Sequence, residues 1–286
     1  MNPATTSTPA VPAPGLDLDA LGRRLNAVFL GIAGIAVLLF LVVPVLIVVP
    51  MSFSPSTSLQ FPPQGFSLRW YSTVFTDPLW LEALRTSLVL GLLSSTLALV
   101  LGGLAAYALV RGRFRGRDVL QANFIAPLII PSVVLAVALY MALAAVGALG
   151  TYAGLLLAHT LLGVPYVVLI MTVAIKTFDE RIEQVAFTLG ASWPTMFVRV
   201  LAPNLLPSAL AAWIFAFVTS FDEVVVTNFI AGSVETVPKK MFNELILQVN
   251  PTITAIATVL ILVSVLLMAV AATLVRSQRQ AAAHNH

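Results

Sequence analysis

Of 286 residues, 59% are hydrophobic and 9% charged, with a mean hydropathy of +0.99, whereas a soluble domain carries about 25% charged residues. That composition excludes an ordinary soluble protein, and the absence of cysteine excludes disulfides, thiolate metal sites and a thiol nucleophile. The net charge of +3 and pI near 9.5 come from arginines at loop positions, so they bear on orientation in a bilayer rather than on a nucleic-acid partner.

Residues 1–26, rich in Pro, Ala and Thr, are too poor in bulky apolar groups to bury a core and read as a disordered tail. The apolar run over about 27–51 follows Arg23 and Arg24. It exceeds the 7–15 residues of a signal-peptide core and is long enough to span. The polar stretch 52–85, with Trp70, Tyr71 and Trp80, then reads as an external loop with interfacial aromatics. Further runs at about 86–110, 119–147, 153–176, 205–231 and 254–275 each clear the roughly 20 residues needed to cross a bilayer core. The expected fold is all-α and integral to the membrane, with six transmembrane helices in one domain over 27–275 and a tail at 276–286. Arg23, Arg24, Arg111, Arg113, Arg115, Arg117, Lys176, Arg181, Arg199, Arg276 and Arg279 fall on one side of such a bundle. Only Arg69, Arg85, Lys239 and Lys240 fall on the other, which makes both termini cytoplasmic.

Between the fourth and fifth runs lies a polar island, Asp179 to Pro207. Ile182, Val185, Ala186 and Leu189 recur at helical spacing, Gly190 supplies a residue that can take positive φ, and Ser192 with Pro194 opens a second helix carrying Trp193, Phe197, Val200 and Leu201. That second helix should stop before Pro203. The default reading of such a segment is an amphipathic loop on the lipid surface.

In the fifth run, Asp222 and Glu223 are carboxylates in apolar surroundings, and Thr219, Glu223 and Thr227 at i, i+4 and i+8 predict one polar stripe. Two readings stay open: an anionic stretch of a route for a cationic solute, or a structural role, as an ion pair with Arg85 or a partner's basic residue, or at a wet external end. His159, alone in the fourth run, reads as a hydrogen-bonded packing residue. The basic turn Arg111 to Asp118 reads as a topology determinant.

The island resembles the cytoplasmic loop of inner-membrane permease subunits of bacterial ABC importers: Gln184-Val185-Ala186, Gly190-Ala191-Ser192, Val200 and Ala202-Pro203 fall on that family's Glu-Ala-Ala, Gly and Leu-Pro pattern. Gln184 stands where the family most often has Glu, with Glu183 one place earlier. Ser220 to Val226, Val237 to Met241 and Asn250-Pro251-Thr252 are similar to the polyamine-type branch. The resemblance implies that the loop, 178–204, docks a helix into a cleft of a separate ATPase. Ile182 and Ala186 would pack that helix, Glu183 and Gln184 would offer polar contacts, Gly190 would set the turn, and Val185, Ala191 and Pro203 complete the coupling set. It also implies two ATPase subunits, a second and related permease, a periplasmic solute-binding protein and a multi-pass place in the inner membrane lipid. The solute would be a polyamine such as putrescine or spermidine, or alternatively 4-aminobutyrate, an opine or another small solute. A secondary transporter is the competing class. The chain has no G-x-x-x-x-G-K-[ST] and no catalytic or metal-ligand constellation, so it reads as no enzyme and as holding no cofactor, with ATP and Mg bound by the partner.

Overall fold

The computed structural model describes residues 18–247 and 251–284. Among the described residues every regular element is a helix, the form in which a chain in hydrocarbon satisfies its own N–H and C=O groups. The chain divides into two units, Met1–Val49 and Pro50–His286. The first is described by α1, Leu18–Met51, so residues 18–26, expected in the tail, are helical, and residues 1–17 lie outside the described set. From residue 27 to residue 46 the side chains of α1 are apolar and nearly all exposed, Phe29 at 69% and Phe40 at 79%, as befits a helix whose surroundings are not water.

The second unit opens with α2, Arg69–Thr76, and α3, Pro78–Arg111, which at about 1.5 Å per residue is about 51 Å long. There follow α4, Arg117–Ile125; α5, Ser132–Ala145; α6, Tyr152–Thr177; α7, Glu180–Thr188; and α8, Trp193–Met196. A π-helical turn, Phe197–Leu201, leads into α9, Ala202–Phe221, and then come α10, Val225–Ile230; α11, Val237–Leu247; and α12, Thr252–His284. Residues 276–284, expected in the C-terminal tail, are the end of α12.

The core is the packing of α3, α6 and α9, which approach closely because small residues line their contact. Ala98, Gly102 and Ala106 of α3, spaced by four, meet Gly163 and Val167 of α6 and Ala212 and Ala216 of α9. A Cβ placed on Gly102 would lie 2.9 Å from the Cβ of Val167 and 3.2 Å from the carbonyl oxygen of Val164.

Several expectations are corrected. The run at 119–147 is not one straight helix: α4 ends in a 3-10 turn, Ala126–Leu128, and α5 leaves at 106° to it, because Pro127 and Pro131 cannot donate to a continuing helix. Among the described residues five helices are long and apolar enough to cross a membrane, six when that bent pair is one span. Trp70 and Trp80 are not interfacial but buried, packed with Val237, Ala255 and Ile256, and the Trp70 indole donates to the Ser54 carbonyl at 2.9 Å.

Gly102→Val should cost about 1–3 kcal/mol of stability through overpacking against α6. Gly103→Val, whose added Cβ meets nothing within 4 Å, controls for the loss of glycine. Thermal unfolding in detergent measures both, and equal unfolding temperatures would contradict the close approach.

Candidate functional site

Two constructions stand out, one at the α7 end of the bundle and one at the α9–α10 break. The first begins at Asp179, whose Oδ1 accepts from the Arg181 N–H at 2.9 Å and caps α7. Helix α7 ends in a Schellman closure: Gly190, at φ +84°, donates to Phe187 O at 3.0 Å, and Ala191 donates to Ala186 O at 3.0 Å. Gly190 therefore sets the turn as its position in the sequence predicted.

The helix between these caps faces the other way from the sequence reading. Glu183 is only 4% exposed and is held inside the chain. Its Oε1 takes Arg111 Nη2 at 2.7 Å and Nε at 2.9 Å, while the Tyr107 hydroxyl donates to Oε2 at 3.1 Å. Arg111 Nη2 also donates to the carbonyl of Phe178 at 2.9 Å, so one guanidinium joins the end of α3, the end of α6 and the middle of α7. The resemblance implied that Glu183 offers its carboxylate to a partner; in this chain both of its oxygens are engaged by Arg111 and Tyr107. Ala186 packs inward as expected, but Ile182 does not: Ile182, Val185 and Leu189 are 46%, 55% and 83% exposed, and Gln184 is exposed beside them.

Below α7, Trp193 and Phe197 stack at 5.3 Å between ring centroids, and Tyr107 meets both edge-on at 5.9 and 6.3 Å. The helix begun at Trp193 does not stop before Pro203. The wide π turn accommodates the proline's missing donor, and Asn204 Nδ2 donates to the Val200 carbonyl at 2.6 Å.

The second construction lies where α9 ends at Phe221 and α10 begins at Val225. The polar stripe expected along one continuous helix is absent because the helix breaks through it. Thr219 turns its hydroxyl to the Phe215 carbonyl at 2.9 Å, and Thr227 is wholly buried and donates to the Glu223 carbonyl at 2.9 Å. Glu223 is half-buried, and its Oε1 accepts from the Val226 N–H at 2.8 Å, capping α10. Asp222 is exposed and lines a recess of about 230 Å³ with Val224, Pro238, Met241 and Phe242. Neither carboxylate pairs with Arg85 or with any other cation among the described residues.

Behind the break, His159 is 1% exposed and bonded on both nitrogens: Nδ1 to Ser220 Oγ at 2.7 Å and Nε2 to Thr227 Oγ1 at 3.0 Å. Ser94 of α3 donates to Ser220 Oγ at 2.9 Å. The sequence reading of His159 as a hydrogen-bonded packing residue agrees with this. Sequence reasoning missed Arg111 and Tyr107 at the first construction and Ser94 and Ser220 at the second. An arginine opening a basic turn carries no mark of a partner 72 positions away.

The family described as Binding-protein-dependent transport system inner membrane component matches residues 98–280 of this chain. The spermidine/putrescine transport system permease protein PotC of Escherichia coli (strain K12) is 32% identical over 256 residues, covering 89% of this chain and 95% of that protein. The putrescine transport system permease protein PotI of the same strain is 34% identical over 230 residues, covering 78% and 82%. The fold is similar to that in the crystal structure of a bacterial ABC transporter involved in the import of the acidic polysaccharide alginate, with a TM-score of 0.62 at 17% identity over 94% of this chain and 99% of that one.

Arg111→Met or Glu183→Met alone should cost about 3–5 kcal/mol, because each leaves the other charge buried and unpaired, whereas the double variant should cost less than the sum of the two. Thermal unfolding of the four proteins in detergent closes the cycle. Strict additivity would mean that the pair does not act as a unit.

Proposed function

Because this chain belongs to the binding-protein-dependent transport system inner membrane component family, we propose that it is the permease half of an ATP-driven importer of polyamines, putrescine or spermidine. The observation that carries the coupling part is the inverted helix α7. It turns Ile182, Val185 and Leu189 outward while Glu183 roots it to Arg111, which suits a helix built to enter an apolar cleft on another protein. In this reading the α7 end is cytoplasmic, as are both termini, and the occupant of the cleft is a partner ATPase that binds ATP and Mg. The domain spans 27–275, with 178–204 as its coupling loop.

Within that loop, Gln184 and Val185 lie on the docking face. Glu183 acts as the anchor of α7 rather than as a contact, Ala186 and Ala191 pack its base, and Gly190 fixes the angle at which the helix ends. Pro203 lies where the loop enters α9 through the π turn. Closure of two ATPase subunits would move α7 as a rigid lever. The Arg111–Glu183 pair passes that motion to α3, and the Tyr107, Trp193 and Phe197 rings pass it to the start of α9. A second, related permease and a periplasmic solute-binding protein complete the assembly, alternating access between the two permeases.

For the solute, the similarity to PotC and PotI over most of the chain is joined by Asp222 and Glu223, two carboxylates at a helix break with no cation paired to them among the described residues. An anionic place of this kind suits a chain of ammonium groups. Thr219 and Thr227 lie on the flanks of the break, the second as part of its support.

ATP-dependent uptake of radiolabelled putrescine, spermidine and 4-aminobutyrate into vesicles bearing the assembled transporter and its binding protein tests the substrate. Polyamine uptake that requires ATP is expected; uptake that ignores ATP would overturn the reading. Asp222→Asn with Glu223→Gln keeps the hydrogen-bonding shape, including the cap on Val226, and removes both charges. Putrescine uptake should fall about tenfold or more while the ATPase still co-purifies, the loss of two charge-assisted contacts being far more than that factor requires. Gly190→Val places a β-branched residue at φ +84° without steric contact elsewhere, so it should leave the protein in the membrane but reduce the ATPase recovered with it.

A further inference from the structure

We propose that His159 is a positioning residue for the carboxylate pair: one imidazole bonded on both nitrogens holds the chain on either side of the Asp222–Val224 break and so sets where Asp222 and Glu223 stand. The inference rests on the reading above that these carboxylates meet the solute.

The geometry is a bracket. Ser220 is two residues before Asp222 and Thr227 four residues after Glu223, and the two hydroxyls meet opposite edges of the same ring at 2.7 and 3.0 Å. A chain that has left the helix over three residues has several φ/ψ pairs free to turn. Pinning both stubs to a third helix removes that freedom. The third helix is itself immobile at this level: one turn further along α6, a Cβ on Gly163 would lie 3.1 Å from the Cβ of Ala98 and 3.2 Å from that of Ala216, so α6 is wedged between α3 and α9.

One arrangement of the protons satisfies every hydroxyl in this bracket. Thr227 directs its single hydroxyl proton to the Glu223 carbonyl at 2.9 Å, so its oxygen accepts from the ring and the proton sits on Nε2. Nδ1 is then bare and accepts from the Ser220 hydroxyl, whose oxygen in turn accepts from Ser94. Donation runs in a single direction, from Ser94 of α3 through Ser220 of α9, His159 of α6 and Thr227 of α10, and ends on the backbone oxygen of Glu223 itself. Such a chain of aligned donors reinforces each of its bonds. Packing alone would be served by any apolar side chain of this volume. A ring that reads the two sides of the break with different nitrogens also orients them.

The test is a cycle of four assembled transporters: unaltered, His159→Phe, Asp222→Asn with Glu223→Gln, and all three changes together. Putrescine KM and maximal uptake rate are measured in vesicles, with the ATPase content per permease determined alongside. His159→Phe should raise KM about tenfold, the scale of losing a buried bond, with the ATPase content unchanged. In the combined variant the His159 change should add nothing, because it acts through groups already removed. An unchanged KM in His159→Phe, beside a raised KM in the carboxylate variant, would overturn this proposal alone. Full multiplication of the two effects would also overturn it, placing His159 in another role. A carboxylate variant with normal KM would remove the route reading and this proposal with it. Should His159→Phe fail to reach the membrane, Thr227→Val, which removes the Nε2 acceptor and with it the last bond of the same chain, to the Glu223 carbonyl, takes its place in the same cycle with the same outcomes.

Discussion

Lipid offers no hydrogen bonds, so wherever this chain departs from the α-helix within its apolar bulk the missing partner must come from a side chain or from backbone elsewhere. Side chains close several of these departures. Asn204 serves the Val200 carbonyl at the π turn, and Glu223 serves the Val226 N–H at the break after α9. Past α10, the Lys239 ammonium reaches back to the carbonyls of Gly232 at 2.6 Å and Val234 at 2.8 Å, and Ser87 accepts from the Val237 N–H at 2.8 Å. A lysine counted from the sequence as an external charge is thus spent on the backbone and is 7% exposed. At these places the polar residues of so apolar a chain mark where its backbone is irregular.

The Arg111–Glu183 pair follows from the same constraint in its ionic form. Two charges withdrawn from water gain little net stability over apolar residues of the same size, but separating them is costly. Such a pair therefore works as a fastener more than as a source of stability: it tolerates movement of α3, α6 and α7 together and resists movement of one against the others. That property suits the rigid lever proposed for α7, and it explains why a carboxylate, rather than an alanine, is buried beneath an exposed apolar face. Helix α3 links the two constructions physically. Arg111 at its end holds α7, and Ser94, about 25 Å back along the same helix, holds the bracket behind Asp222 and Glu223. Helix α9 runs alongside it from the π turn to Ser220, so both constructions are carried by the same close-packed core, in which small residues leave no slack for one helix to slide without its neighbours.

Much of the architecture was legible in the order of residues because it is local. Composition and run length announce a membrane protein, since the cost of placing a charge in hydrocarbon is a property of each side chain. The turn at Gly190 and the restart at Ser192 with Pro194 are decided within a few residues by capping and φ preferences, and the structure has both in their expected places; the cap that Asp179 puts on α7 is equally local. His159 as a bonded residue is legible for the same kind of reason: a lone imidazole in an apolar helix needs partners wherever it lies.

Tertiary structure alone decided which way those elements face and what they hold. Periodicity places Ile182, Val185 and Leu189 on one side of a helix, but hydropathy cannot say whether an apolar side meets the protein's own core, lipid or another chain. Here it is turned out, and Glu183 is turned in because Arg111 waits there. The pairing of positions 111 and 183, the bracket from 94 through 220, 159 and 227, and the break after Phe221 are contacts between segments far apart in the chain. Whether Asp222 and Glu223 sit within a helix or at its end depends on partners supplied by α6 and α3. Side-chain chemistry is written into each residue, whereas the partner that satisfies it is chosen by how the helices pack.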